Sequence, residues 1–256
     1  ARLVDAGAGA LANRIRRLAG LVGAGPDRHA EVLAELGTLH LLAQAGPRIG
    51  ELPGSLADSA ATAVGWQVRH ADVLAGAPDT DDWLVAGRSD TREDRIEVRR
   101  VWMHGTTTRR WAMLLSFAAY QQSLDDSFTV GSLVRADLHR YPGGSLRALA
   151  GRRDPDPLPL GDTVAASALT VAAACDSIGR AVAAEPWIER YPATVRATPT
   201  SRPGSAGGWL LADPTGAIPL EAPVRSLAML LAASAGGEVV VTVEWTPRGV
   251  VPLTVD

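Results

Sequence analysis

The sequence predicts an α+β protein: a helical N-terminal segment on an antiparallel β module, then a second, smaller α+β module. Three observations carry this. Apolar residues recur every three or four positions as far as residue 76, the period changes to two from Asp82, and a Pro-rich stretch precedes a region where both periods return. The expected units are residues 1–150, a linker at 151–161 and a module at 162–256.

Leu11, Ile15, Leu18 and Val22 fall on one helical face opposite Arg14, Arg16 and Arg17, the pattern of an amphipathic helix. After GAGPD, the positions Val32, Leu33, Leu36, Leu39 and Ala43 repeat it, with Asp27 as N-cap and Gly46-Pro47 as a stop. Ser55 and Asp58 make a capping-box pattern ahead of Ala60, Ala63 and Val64, and residues 71–76 read as a last helical turn closed by glycine. From Asp82, Trp83 and Val85 alternate with Leu84 and Ala86 before the polar turn RSDTRED. Ile96 and Val98 share one parity and Val101 and Met103 the other, so a β-bulge is expected at Arg99-Arg100. Trp111, Met113, Leu115 and Phe117 alternate with Arg110, Ala112, Leu114 and Ser116, and the set with Trp111 is expected to face the core. Val134, Ala136 and Leu138 alternate with Arg135, Asp137 and His139 in a fourth strand.

GRRDPDPLPLG carries three prolines separated by single residues, which denies it a hydrogen-bonded ladder and marks it as a linker. Residues 162–185 read as one Ala-rich helix bearing Val164, Leu169, Val171, Ile178 and Val182. Strands are expected at 191–198, 209–212 and 218–220, with DPTG turning between the last two. A helix at 224–235 leads to a hairpin in which Val239, Val241, Val243 and Trp245 face Val251, Leu253 and Val255 across TPRG.

At 256 residues with 46% hydrophobic content, the chain has enough apolar surface for a sizeable core. Its net charge of −3 argues against nucleic-acid binding by the whole surface, since that needs an excess of cations. All 25 basic residues are Arg, a usage typical of GC-rich genomes. The single Cys175 excludes an internal disulfide and any cysteine-rich zinc site made by this chain alone, and it suits the cytosol. No apolar run approaches the roughly 20 residues of a membrane span, so a cytoplasmic protein without membrane contact is expected.

The candidate sites are few. Gly7, Gly9 and Ala12 match the spacing of a dinucleotide fingerprint, with Asp27 further on, but no buried strand precedes them, and a helix weakened by glycine is the better reading. His29, His40, His70, His104 and His139 never take the spacing of a zinc enzyme. Cys175, in an Ala-rich helix, reads as a small core residue, and no hydrolase or phosphate-loop signature occurs. The span RRVWMHGTTTRRW stands out, and the candidate interaction residues are Trp83, Arg99, Arg100, Trp102, Arg109, Arg110 and Trp111. Bases stacking on Trp102 or Trp111 beside the Arg pairs would bind single-stranded nucleic acid. The bland reading of the same span is a structural hairpin with a solvated rim, because Asp90, Glu93, Asp94 and Glu97 offset much of the charge.

In ARLVDAGAGALANRIRRLAG, LAELGTLHLLAQA, VGWQVRHADVLAG, DDWLVAGRSD, RRVWMHGTTTRRWAMLLSFAA, EPWIERYP, GWLLAD and VEWTPRGVVPL, the chain resembles the region following the finger in bacterial SWIM zinc-finger family proteins. The resemblance implies a non-enzymatic interaction scaffold that docks a protein partner, some relatives being encoded beside a MoxR-type AAA+ ATPase and a von Willebrand A-domain protein. The finger's C-x-C and C-x-H ligands are not in this chain, so no cofactor is expected here and zinc would belong to a finger upstream of Ala1. Single-stranded nucleic-acid binding and an uncharacterised hydrolase are the alternatives.

Overall fold

The computed structural model describes residues 7–22, 28–93, 96–119, 122–143, 146–201, 204, 208–221 and 223–255. It is α+β, with ten strands among these residues. Helices α1 (Gly9–Val22), α2 (His29–Ala45) and α3 (Gly54–Val64) pack on one another, and a short 3-10 turn at Gly46–Glu51 joins the last two. Chain polarity explains the stop at Gly46-Pro47, since Pro47 cannot donate to the final carbonyls of α2. The expected N-cap Asp27 lies outside the described residues. No capping box forms at Ser55 and Asp58: α3 starts two residues earlier, with Pro53 at the N-cap and no side-chain cap. It ends at Gly65, whose φ of 109° lets its N–H reach the carbonyls of Ala61 and Thr62.

The faces of these helices are not the expected ones. In α1, Arg14 turns toward Glu35 of α2 while Ile15 and Val22 are exposed. In α2, Glu35 and Leu42 are buried and Leu33 and Leu36 are exposed. The core of the unit gathers Leu42 and Ala60 with Leu11, Ile49, Leu52 and Leu56, and Trp187 enters it from far along the chain. Its indole N–H donates to Ser59 Oγ at 2.9 Å.

After α4 (His70–Leu74), strands β1 (Asp79–Glu93), β2 (Ile96–Gly105), β3 (Trp111–Ala119), β4 (Leu133–Arg140) and β5 (Arg147–Arg153) close a barrel in the order β1-β2-β3-β5-β4. Only the β3–β5 seam is parallel. The polar segment RSDTRE continues β1 instead of turning, and the bulge falls at Ala86, whereas β2 and β3 pair without a break through Arg99 and Arg100. The interior holds Trp83, Val85, Val101, Met103, Ala112 and Leu138, with Phe128 from the β3–β4 connection. The β3 alternation is therefore real but its sides are reversed: Ala112 and Leu114 face the interior and Phe117 is 55% exposed. β5 runs through Arg153, so the expected linker begins inside a strand, and Leu158 pairs with Leu133.

The single helix expected at 162–185 is two. Between α5 (Thr163–Ala166) and α6 (Val171–Ala184), Leu169 pairs with the strand edge, its N–H donating to Thr194 O and its carbonyl accepting from Arg196. Asp213 accepts from the first amide of α6, Val171 N–H, at 2.8 Å. Strands β6 (Tyr191–Ser201), β7 (Trp209–Asp213), β8 (Gly216–Leu220), β9 (Val239–Thr246) and β10 (Gly249–Val255) then close a second barrel in the order β6-β7-β8-β10-β9. Here the parallel seam is β8–β10, and α7 (Val224–Ser234) lies between β8 and β9 with Leu230 in the core. In the closing hairpin Val243 and Trp245 pair with Pro252 and Val250, not with Val251 and Leu253.

Both barrels thus share one topology, first-second-third-fifth-fourth with a parallel third–fifth closure. This is the topology of the OB barrel. They are in direct contact: a methyl group added at Gly87 would sit 2.7 Å from Leu253, and Thr254 Oγ1 donates to the carbonyl of Ala86 at 2.6 Å. Glu244, 1% exposed, accepts from Ser89 Oγ at 2.8 Å and pairs through its other oxygen with Arg190.

Candidate interaction surfaces

The hairpin residues singled out by sequence separate into three environments. Trp83 lies inside the first barrel, its indole N–H donating to Ala136 O at 3.1 Å. Trp102 projects outward from β2, but the second barrel covers it completely. Neither indole reaches solvent, so the expectation that Trp83 and Trp102 present themselves to a partner is corrected, and base stacking on Trp102 is ruled out with it. Alternation along β2 could not reveal this, because a second barrel covers the outer face as thoroughly as the core covers the inner one. Arg99 is also buried: it chelates Asp90 at 2.8 and 2.7 Å and reaches Asp126, and the Asp90 hydrogen bond, ahead of the opposing cost of burial, raises its pKa further. Arg100 donates to Thr91 Oγ1 at 2.7 Å.

Arg109, Arg110 and Trp111 remain, at the tip where β2 turns into β3. Asp81 builds that tip by accepting from Thr107 N–H at 3.1 Å, Thr108 N–H at 2.8 Å and Thr108 Oγ1 at 2.7 Å. Burial pushes its carboxyl up, but these hydrogen bonds outweigh burial and hold it below the usual carboxylate range. Arg109 takes a left-handed φ of 55°, which points its side chain out of the turn, and both it and Arg110 are exposed. Trp111 is half-buried beside Leu84 and Leu133, and its ring lies 4.6 Å from that of His104. Burial, and then the nearby Arg109 charge, lower the His104 pKa to about 4, so the imidazole is neutral at physiological pH.

A different surface was not foreseen. On α2, Ala30, Leu33, Ala34, Leu36, Gly37 and Leu41 are all exposed, and at 100° per residue they share one side of the helix. Leu33 is 71% exposed. Both acids of α2 point the other way: Glu35 binds Arg14 and Arg17 at 3.3 and 3.0 Å, and Glu31 binds Arg28 at 2.8 Å. The signal in the sequence was that the leucines and alanines of α2 are spread around the helix instead of forming a single stripe.

Cys175 is exposed on α6 and not in the core, with burial, Asp176 and Asp213 raising its thiol pKa. Among the described residues, no three His, Cys, Asp or Glu side chains come together as a metal site. No described helix is long and apolar enough to cross a membrane.

The architecture defines the class: an α+β protein in which a small helical unit precedes two OB-topology barrels. Residues 1–64 match the model of the SWIM-associated four-helix bundle domain, so the helical unit is similar to that domain. No curated protein and no solved structure matches the chain.

Proposed function

We propose that this chain is a non-enzymatic interaction scaffold that docks a protein partner through the outer face of α2. One observation carries the reading: the carboxylates Glu31 and Glu35 are held in ion pairs while Leu33, Leu36 and Leu41 are turned to water. An apolar helix face of this kind fits a groove or another helix, with Leu33, Leu36 and Leu41 as anchors spaced for it. The two barrels and Trp187 hold the helical unit in place behind that face. The similarity of the helical unit to the SWIM-associated domain makes a MoxR-type AAA+ ATPase or a von Willebrand A-domain protein the first partner to test.

The deciding experiment is affinity purification of the full-length protein, with and without nuclease, using wild type and a Leu33→Asp, Leu36→Asp variant. A stoichiometric protein partner that survives nuclease and is lost in the variant supports the proposal. Recovery of nucleic acid alone, or a partner retained by the variant, refutes it.

A further inference from the structure

The tip of the first hairpin forms one wall of a cavity of about 580 Å³. The opposite wall comes from the second half of the chain: Ala173, Ser177 and Arg180 lie on one side of α6, and Tyr191 and Thr194 lie on β6. Four guanidinium groups, those of Arg109, Arg110, Arg140 and Arg180, line this space. Arg110 and Arg140 share the carboxylate of Asp79, at 3.1 and 2.5 Å. Arg109 and Arg180 are exposed and belong to none of the ion pairs among the described residues.

A second observation is independent of the charge. Two nitrogens of the cavity residues are out of contact with water and have no hydrogen-bond partner: Nη2 of Arg140 and Nδ1 of His104. His104 is 94% buried, from its 6% exposure. An unpaired guanidinium nitrogen leaves Arg140 with donor capacity beyond its bonds to Asp79 and Trp111. The rest of Arg140 is well held, since its Nη1 donates to Trp111 O at 2.9 Å while Nε binds Asp79. Arg140 is therefore a cavity-lining cation held on a fixed arm, with one donor unused.

We infer that this cavity between the two barrels is a binding site for a small phosphate-bearing ligand of about nucleotide size. The volume falls in the usual range of roughly 300 to 1,000 Å³ for small-molecule sites. Planar guanidinium groups bind phosphate oxygens in pairs. Four Arg residues, two of them sharing Asp79 and two outside any ion pair among the described residues, suit a ligand with more than one negative charge, and Trp111 and Tyr191 offer apolar surface to its remainder. A half-open cavity of this volume has room for a discrete molecule, whereas a strand of nucleic acid needs a groove that tracks its backbone. Because the walls come from both barrels, the ligand would also tie them together. This site is separate from the α2 face, and either reading can fail without the other.

The test uses the intact protein and isothermal titration with inorganic pyrophosphate, ADP and (dT)12. Pyrophosphate and ADP should bind, more weakly as salt rises. The variants Arg109→Ala and Arg180→Ala, which alter exposed side chains, should each weaken binding about tenfold. Arg16→Ala, which removes an exposed cation of the helical unit, should leave it unchanged. His104 ring resonances should shift on ligand addition, which locates the site. No binding of either phosphate probe at millimolar concentration, undiminished binding by an Arg109→Ala, Arg180→Ala double variant that keeps the wild-type circular dichroism, or tighter binding of (dT)12 than of ADP would overturn the inference.

Discussion

The indole N–H of Trp102 in the first barrel donates to Oε1 of Glu244 in the second, at 2.9 Å, with both side chains sealed from solvent. Ser89 and Arg190 converge on the same carboxylate. Glu244 therefore joins the barrels at one point. Its replacement by Ala strands the Trp102 N–H and loosens Arg190, at a cost of about 3 kcal/mol. Glu244→Gln keeps an acceptor for Trp102 and should cost less. Chemical denaturation of both variants, followed by Trp fluorescence, checks the order wild type, Gln, Ala.

Gly87 tests the same interface by volume. A Cβ there meets Leu253 at 2.7 Å, so Gly87→Ala should destabilise by roughly 1 to 3 kcal/mol although alanine suits a strand better than glycine does. A Leu253→Ala substitution in the same chain should recover part of the loss. Thermal melts of the single and double variants measure the coupling.

Trp187→Ala empties the helical unit's core and leaves Ser59 Oγ without its donor. A loss of about 3 to 5 kcal/mol is expected, concentrated in α1 to α3. Hydrogen exchange should rise there and remain slow in β6 and β9, whose pairing does not depend on the indole.

His104 makes stability depend on pH. Its folded pKa is depressed to about 4 by burial and by Arg109, from an ordinary 6.5. The unfolded chain therefore binds more protons than the folded one between these values, and stability falls as pH drops from 6.5 toward 4, by up to roughly 3 kcal/mol. Asp81 adds a second loss further down: its contribution is present above the ordinary carboxylate pKa of 3.8 and disappears as pH falls through its lower folded value. Denaturation midpoints measured across this range should slope in wild type and flatten above pH 4 in His104→Gln.

The strands were legible where one side met a core and the other met water. Val134, Ala136 and Leu138 fit that description, and their alternation gave both the strand and its inner face. Trp111 and Phe117 did not. The outer face of β3 is apolar too, so parity located the strand and misassigned its sides. β5, with the sequence RALAGRR, lacks β-branched residues and gave no strand signal, its last three residues falling in the expected linker. Closure was invisible in both barrels, since the parallel seams rest on one or two residue pairs joined across long loops. Of the surfaces, Arg109, Arg110 and Trp111 stand side by side in the sequence, but Arg140 and Arg180 reach them from elements far away. Glu244 left a trace that could have been read: an acid inside VVVTVEWT, where an outward position would ordinarily be solvated, signals a covered outer face.

The use of Trp187 inside the N-terminal helical unit also has a consequence for biosynthesis. The residue lies 128 positions after Ser59, its hydrogen-bond acceptor. At about 5 to 20 residues per second, the ribosome delivers it roughly 6 to 25 seconds after Ser59. During that interval α1 to α3 exist with their core unplugged and Leu33, Leu36 and Leu41 of α2 already outward. A nascent chain in that state offers apolar surface on two sides, and trigger-type chaperones should engage it most strongly in the window that closes when EPWIER leaves the exit tunnel.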